Sequence, residues 1–292
     1  MAGQEGIEAI KARLGNIRSV EPILGAMRTI SLGSWQAALK RKDRVLAYSE
    51  RLLSLLPPLA PYLESQRRRK KVSTGPASIS VTVIGSERGL CGAFNSSLAR
   101  YVEDELARFA DEGLTVELHT MGARVTRVLE RADLSIASSR ALPMAALPSS
   151  ELATTLMLGW LAQYEAREID AVYVIYHAYQ NSVQHEPMTL RLVPPPVPVT
   201  AGTAATWPDP YVDGDATGLF VRAVVLWSTS ELYRILLDSA ASEHSARYQL
   251  MEGATRNSES LIDELTLALQ AARQQAITAE MQELAAGAGL LS

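Results

Sequence analysis

The sequence predicts an α/β domain flanked by two long helices that pair as an antiparallel coiled coil. Three observations lead to this fold class. Over residues 4–64, apolar residues recur every three or four positions, as on one face of a helix. Residues 79–199 alternate short β-branched runs with helical runs, which is typical of a small α/β domain with a largely parallel sheet. Residues 216–286 contain no proline and could form a helix on the order of 100 Å long.

The first predicted helix carries a heptad-like apolar stripe, which is longer than an ordinary core helix requires. The stripe comprises Ile7, Ile10, Leu14, Ile17, Val20, Leu24, Met27, Val45, Leu46, Leu52, Leu53 and Leu56. Pro22 removes one backbone donor, so we expect the helix to kink or start afresh there. Pro57, Pro58 and Pro61 should weaken and end it. The basic run at 67–71 follows, and we expect a solvated linker, with contact to an acidic surface or lipid headgroups as the alternative.

The middle of the chain supplies the elements of the α/β domain. Strands are expected at 79–84, 115–120, 171–176 and, after a hairpin-like segment at 184–187, at 189–193; helices are expected at 98–110, 123–131 and 151–167. Proline-rich segments at 194–198 and 207–210 close the domain.

The last predicted helix repeats small and apolar residues at spacings of three and four. This seam comprises Leu250, Ala254, Asn257, Leu261, Leu265, Ala268, Ala272, Ala276 and Ala279. Small side chains allow a partner helix to approach closely, and Gly287 signals the helix end. Because the two long helices bracket the α/β domain, the simplest packing pairs them antiparallel. The predicted segments are 1–66 for the first helix, 67–215 for the Rossmann-like domain and 216–292 for the last helix.

Composition excludes several classes of protein. The 292 residues include 28 Lys plus Arg and 32 Asp plus Glu, a net charge of −4 that is atypical of nucleic-acid binders. A single cysteine, Cys91, excludes an internal disulfide and a cysteine-based zinc site, and the four histidines lack metal-ligand spacing. The apolar window 219–237 contains three charged residues, so we expect no membrane span. Charges near the N-terminus argue against a signal peptide, and we expect a soluble, intracellular protein.

A glycine-rich loop follows the first predicted strand, at 85–95. Such a turn can hold a phosphate at a helix N-terminus, but the spacing is not GxGxxG and no Gly-Lys-Ser/Thr is present. The second strand ends in His119 and Thr120, where a dinucleotide site needs an acidic residue. The pattern therefore favours a tight structural turn, with a nucleotide-binding enzyme as the weaker alternative. Within the loop, Cys91 is interpreted as a buried thiol and not as a nucleophile.

Several segments together resemble a known family. SEHSAR at 242–247, ATRN at 254–257, LIDELTL at 261–267 and ARQQAITAE at 272–280 are similar to the last helix of the F-type ATP synthase gamma subunit. SERGLCGAFN at 86–95 resembles the glycine loop of that family, and segments at 169–176, 190–194, 7–14 and 25–27 resemble its strands and first helix. The likeness covers nearly the whole chain in order.

The resemblance implies a rotor without a catalytic site or cofactor of its own. The coiled coil would lie in the central hole of a ring of alpha and beta subunits, with the ATP chemistry on the beta subunits. The α/β domain would rest on the proton-translocating ring of c subunits, beside the epsilon subunit. The chain would then be a peripheral protein on the cytoplasmic face of the inner membrane, if its source is bacterial.

Residue by residue, the resemblance also implies contacts with the alpha/beta ring. The expected contacts are Met27, Arg247, Arg273, Gln274, Thr278 and Glu280. The first helix departs from the family, which is usually richer in polar and basic residues over the segments here occupied by 21–25 and 29–35. Glu87 stands where the family usually has Asp. A coiled-coil scaffold that no longer couples to the ring is the alternative that this altered first helix leaves open.

Overall fold

The computed structural model of the protein describes residues 2–59, 77–143, 146–195 and 214–287. Its elements are α1 (Ala2–Leu59), β1 (Ser78–Ile84), α2 (Phe94–Asp111), β2 (Thr115–Met121), α3 (Ala123–Arg131), β3 (Ser138–Arg140), α4 (Ser150–Ala166), β4 (Ala171–Tyr179), β5 (His185–Val193) and α5 (Ala216–Gly287). The predicted fold class, an α/β sheet with long first and last helices, is confirmed. None of the described helices combines the length and the apolar character that crossing a membrane requires.

The chain divides into two compact units. Residues 1–31 and 247–292 form one, here called the helix-pair unit, and residues 32–246 form the other, the sheet unit. Both α1 and α5 contribute residues to each unit. The predicted segment boundaries at 66 and 215 remain a prediction, and the basic run at 67–71 and the segment at 207–210 lie outside the described residues.

The sheet unit contains a five-stranded sheet in the order β3-β2-β1-β4-β5. β1 pairs parallel with β2 and β4, and β2 pairs parallel with β3. β5 runs antiparallel to β4, as its short hairpin connection requires. Its strand starts at His185, so residues expected to form the hairpin turn belong to the ladder.

Each face of the sheet carries its own hydrophobic core. Alternate residues of β1 and β4 point to opposite faces, as the period of two dictates. One core joins the sheet to α4 and α5 and includes Met157, Trp160, Val174, Tyr176, Leu232, Ile235 and Leu236. The other joins it to α2 and α3 and includes Val81, Val83, Leu98, Val102, Phe109, Val125, Leu129 and Ile175. The sheet unit is therefore a three-layer sandwich.

In the sheet unit, α5 is buried on almost every side. From Trp227 to Ala246, every residue of α5 is buried or half-buried. A helix that is enclosed all round belongs to a core. The α1 portion of this unit instead buries one seam. Its half-buried or buried members are Trp35, Ala38, Lys42, Val45, Ser49, Leu52, Leu56 and Leu59.

The helix-pair unit packs the start of α1 on the end of α5. Leu14 clusters with Leu265 and Leu269, and Arg28 Nη1 lies 2.9 Å from Glu252 Oε2. Because the partner number on α5 falls as the number on α1 rises, the two helices run antiparallel, as predicted. The α1 seam of this unit comprises Ile7, Ile10, Leu14, Ile17, Glu21, Leu24, Arg28 and Ser31, alternating steps of three and four.

The α5 seam differs in register from the prediction. Its half-buried and buried members are Met251, Thr255, Ser258, Ile262, Leu265, Leu269, Ala272 and Ala276. Leu250 and Asn257, which were predicted to lie in the seam, are exposed. Of the two outcomes expected at Pro22, a new start of the helix is wrong, because α1 continues through it as one element, and a kink stays a prediction. Pro22 is exposed there, on the side of the helix away from the seam.

Candidate partner-binding surface

All six predicted contact residues belong to the helix-pair unit. Arg273, Gln274, Thr278 and Glu280 lie close together on the last turns of α5, and all four side chains are exposed. Met27 and Arg247 lie further along the pair. Met27 is half-buried on α1, and Arg247 is 5% exposed. At 100° per residue, Gln274 and Thr278 share one face of α5, and Arg273 and Glu280 share another, about 100° or more from the first. The structure therefore exposes four of the six residues but divides them between two faces of the helix. It encloses Arg247 within the chain.

An exposed apolar stripe accompanies these four residues. Its members, here called the tip stripe, are Leu267, Ile277, Met281 and Leu284, each more than half exposed. At 100° per residue they fall within about 100° of one another, on the face away from the seam. Gln274 lies within this stripe and Thr278 flanks it. Several large apolar side chains aligned on one helix face mark a surface that binds a partner.

Met27 lies in a similar stripe on α1. Val20, Ile23 and Ile30 are 46%, 58% and 64% exposed, and Met27 falls between them at steps of three and four. This apolar surface accounts for the departure noted in the sequence, where the family usually has polar residues. The sequence analysis assigned Val20 and Met27 to the packed stripe of the first helix, but Val20 is 46% exposed. It did not predict a second, exposed stripe on either helix. The sequence signal for such a stripe is a second set of apolar residues that recur every three or four positions on the same helix.

A charged cluster bridges the two helices of this unit. Glu252 accepts hydrogen bonds from Arg256 Nη2 and Arg28 Nη1, both at 2.9 Å. These hydrogen bonds, with that of Arg256 the larger, hold the pKa of the Glu252 carboxyl below its usual value. Since Arg28 lies at a seam position, it contributes to the register of the pair.

The glycine loop in the sheet unit is a closed turn. Glu87 Oε2 accepts the backbone N–H of Ala123 at 3.0 Å and that of Leu142 at 2.9 Å. The N–H of Arg124 is donated to Ser86 O at 3.0 Å. The first amides of α3 are therefore already paired, and a phosphate placed there would meet a carboxylate. Cys91, in the same loop, is 4% exposed.

Packing in the loop explains two of its glycines. A Cβ on Gly85 would lie 2.3 Å from Cβ of Val125. Gly122, at the facing turn, has a φ of 111°, and a Cβ there would lie 2.7 Å from Ser86 O. Such close approach of two turns requires glycine at both positions.

A buried histidine lies beside this loop. His177 Nε2–H donates to Phe94 O at 2.8 Å, and the His185 ring lies 4.9 Å away, edge-on. Burial lowers the pKa of His177 to about 4. His177 is therefore neutral at physiological pH and packs within the fold. Within the described ranges, no three His, Cys, Asp or Glu side chains lie close enough to hold a metal ion.

A buried ion pair joins three elements of the sheet unit. Lys42 Nζ on α1 lies 2.5 Å from Asp238 Oδ1 on α5, and Asp238 also accepts the Tyr179 N–H of β4 at 3.3 Å. The Asp238 side chain is 4% exposed and that of Lys42 20%. Arg234, one turn before Asp238, pairs with Glu231. Such pairs orient elements more than they stabilise them.

Comparison with known proteins identifies the family. The family model described as ATP synthase matches residues 6–291. The chain is 30% identical over 292 residues to the ATP synthase gamma chain of Anaeromyxobacter sp. strain Fw109-5, covering 97% of this chain and 98% of that one. It is 28% identical over 303 residues to the gamma chain of Rhizorhabdus wittichii, covering 98% and 99%.

A solved structure repeats the fold. A chain in the Euglena gracilis mitochondrial ATP synthase structure of OSCP, F1 and c-ring, in rotational state 3, has a TM-score of 0.65 at 14% identity, covering 99% of this chain and 95% of that one. Because the family model covers residues 6–291 and the Anaeromyxobacter gamma chain is 30% identical over 97% of this chain, the chain belongs to the ATP synthase family, among its gamma chains.

Proposed function

We propose that this protein is the central rotor shaft of an F-type ATP synthase, which couples proton flow through a c-subunit ring to ATP synthesis by the alpha and beta subunits. The tip stripe carries the proposal. Leu267, Ile277, Met281 and Leu284 expose apolar area at the end of a paired helix, where a surrounding ring of subunits would cover it. Family membership supports the same partners, with the epsilon subunit beside the α/β domain.

The mechanism follows from asymmetry. A pair of different helices presents different side chains in each direction, so it cannot be three-fold symmetric. Each of three chemically identical catalytic sites in the ring would therefore meet a different face of the shaft. Since each face stabilises a different conformation, the three sites differ in nucleotide affinity. Rotation of the shaft exchanges those faces in order, so that mechanical work changes binding free energy.

Contact roles follow from exposure and chemistry. Arg273 can make bidentate, charge-assisted hydrogen bonds to a carboxylate of the ring, and Glu280 can accept from a ring cation. Gln274 and Thr278 can exchange hydrogen bonds beside the tip stripe, while Met27 offers a soft apolar contact on α1. Arg247, which is buried, would reach a partner only through a rearrangement of its own surroundings.

The protein would have no catalytic site of its own, and we place it as a peripheral subunit on the cytoplasmic face of a bacterial inner membrane. The Glu87 carboxylate at the start of α3 supports the first point because it fills the position that a phosphate would need. Purified protein should therefore not hydrolyse ATP. Turnover by the isolated chain that is lost on replacing Arg88 or Cys91 would refute this assignment.

The decisive experiment measures coupling in the assembled enzyme. Arg273→Ala with Gln274→Ala should leave the isolated fold stable within about 0.5 kcal/mol, as exposed substitutions usually do. ATP-driven proton pumping by membrane vesicles, or assembly with alpha and beta subunits, should fall. Arg100→Ala with Gln163→Ala makes the same changes at exposed positions of α2 and α4 and should leave both unchanged. Unchanged pumping and assembly in the first variant would remove these residues from the contact.

A separate measurement distinguishes a rotor from an uncoupled scaffold. Wild-type protein should co-purify with alpha, beta and c subunits and support ATPase activity that drives proton uptake. A scaffold would co-purify without coupling. Replacing Ile277 and Met281 of the tip stripe by Gln should weaken assembly with alpha and beta subunits while the helix content stays constant. Retained binding to all three subunits with no proton uptake by the wild type would favour the scaffold.

A further inference from the structure

The sheet unit carries a basic surface that the rotor function does not use. Arg124, Arg127 and Arg131 follow one another at steps of three and four, so they share the outer face of α3. Arg140 ends the neighbouring strand β3. All four side chains are exposed. Together they form a local basic surface on a chain whose net charge is −4.

These arginines have no ion-pair partner within the described part of the chain. Arg108 on the neighbouring helix α2, by contrast, pairs with Glu105 and Glu112 at 2.8 and 2.7 Å. No Asp or Glu oxygen among the described residues lies within 4.0 Å of the four on α3 and β3. Helix α2 carries four acidic residues and two arginines, whereas α3 carries three arginines and one glutamate, so the two helices of this layer differ in the sign of their net charge.

A groove runs between α3 and β3 along this surface. It has a volume of about 250 Å³ and is lined by Thr126, Arg127 and Glu130 on α3 and by Ser139 and Arg140 on β3. Two arginines thus face one groove that contains a single carboxylate, and Glu130 neutralises neither within 4.0 Å. Like charges held together in this way favour an anionic ligand.

The strand beside the groove is an edge of the sheet. β3 pairs with β2 on one side, from Ser138 to Arg140, and stands last in the strand order. Among the described residues no strand covers its other side. A free edge presents backbone N–H and C=O groups to which an extended peptide can add as a further strand.

We propose that this groove binds an acidic polypeptide segment, extended alongside β3, with its carboxylates paired to Arg127 and Arg140. Arginine matches a carboxylate through two parallel hydrogen bonds, which fixes orientation as well as charge. An anionic membrane fits the surface less well. Neither α3 nor β3 exposes a large apolar side chain that could insert among lipids. A concave groove beside a strand edge also suits a chain better than a flat surface.

The binding test uses the full-length protein and a defined probe. A fluorescein-labelled octapeptide of alternating Glu and Val should bind at low salt, and its affinity should fall as salt rises. Arg127→Glu with Arg140→Glu should weaken binding by about tenfold or more, since both contacts become repulsive. Arg100→Glu with Arg191→Glu makes the same charge change at α2 and at the opposite edge strand, and should keep wild-type affinity.

Two further probes separate the parts of the proposal. Octapeptides N-methylated at odd or at even positions keep the carboxylates but cannot donate all strand hydrogen bonds, so at least one of the two should bind more weakly. Equal affinity of both methylated peptides and the parent would overturn the strand alignment. If the two charge-reversal variants bound the peptide equally well, and circular dichroism showed both folded, the groove would not be the binding site. Binding to phosphatidylglycerol vesicles without peptide binding would overturn the choice of partner.

Discussion

The same two helices, α1 and α5, pack in opposite ways in the two units. In the sheet unit, α5 is enclosed by α4 and the sheet, and Leu232 and Ile235 are fully buried. In the helix-pair unit, α5 buries one stripe, and the core residues Leu14, Leu265 and Leu269 retain 7–9% exposure. Since helix stability in proteins comes mostly from tertiary packing, the two ends of one helix should differ in stability.

Polar residues make the same contrast. The α1 seam of the helix-pair unit includes Glu21, Arg28 and Ser31, where a purely stabilising seam would be apolar. Polar seam residues lower stability but fix register and partner. The helix-pair unit therefore gains a defined alignment at some cost in stability, whereas the sheet unit is stabilised by its two large hydrophobic cores.

The largest expected difference between the two units is the stability lost when a buried leucine is replaced by alanine. Leu232→Ala should destabilise the sheet unit by about 4 kcal/mol, because a fully enclosed cavity cannot collapse. Leu269→Ala should destabilise the helix-pair unit by only about 2 kcal/mol, since solvent already reaches the site. All four tryptophans belong to residues 32–246, so fluorescence follows the sheet unit alone while circular dichroism follows both. Equal losses in urea unfolding would contradict the comparison.

Pro22 should be the largest single weakness of the helix-pair unit. It lies mid-helix on an exposed face, where it removes one backbone hydrogen bond. Pro22→Ala should raise the stability of this unit by up to about 3 kcal/mol and increase helix content by circular dichroism. Gly25→Ala, where an added Cβ meets nothing within 4 Å, should add about 1 kcal/mol as a matched control. A lower melting temperature for the proline variant would mean that the chain needs the distortion.

Acid should weaken the sheet unit by protonating the buried His177 on unfolding. Burial lowers the pKa of His177 from 6.5 to about 4, so between these values the unfolded chain binds a proton that the folded chain does not. Stability is therefore full above pH 6.5 and is lost as the pH falls, by up to about 3 kcal/mol at pH 4. His177→Asn should flatten the dependence seen by tryptophan fluorescence. His119→Asn, at a half-exposed strand position, should retain it.

The two inter-helix ion pairs should differ by burial. Lys42→Met leaves Asp238 buried with its charge only partly compensated, and should cost the sheet unit about 2 kcal/mol. Arg28→Met breaks a pair whose side chains are 39% and 21% exposed, and should cost the helix-pair unit less than about 1 kcal/mol. Raised salt should reduce the second effect and not the first. If Arg28→Met lowered the free energy of chemical unfolding more than Lys42→Met does, burial would not explain the difference between the two ion pairs.

Most of the fold could be predicted because its elements carry strong periods. β1, β2, β4 and the helices α2 to α4 have the right type and nearly the right bounds, since each combines a clear apolar pattern with turn residues. β3 was missed because three polar residues, Ser138 to Arg140, show no pattern. The predicted start of β5 is too late because Glu186 and Pro187 suggest a turn. An edge strand such as β5 nevertheless tolerates a proline.

The site was less predictable because helix positions look alike in sequence. Before Leu265, the predicted α5 seam lies one residue too early, since Ala254 and Leu261 also fit the spacing. The buried Thr255 and the half-buried Ser258 do not look like core residues. Arg247 was expected on a surface, but its neighbours enclose it. Burial of a helix face depends on the partner, which local sequence does not specify.

The seam of the helix-pair unit also has a hand. Its steps of three and four average 3.5 residues on both α1 and α5, fewer than the 3.6 of a straight helix, so the two helices must wind around each other to the left. A twist applied in the sense of that winding presses the seam together, whereas a twist in the opposite sense opens it. The helix pair is therefore stiffer toward a torque that tightens the left-handed winding than toward one that unwinds it. A shaft built from it would twist further when the torque unwinds the pair.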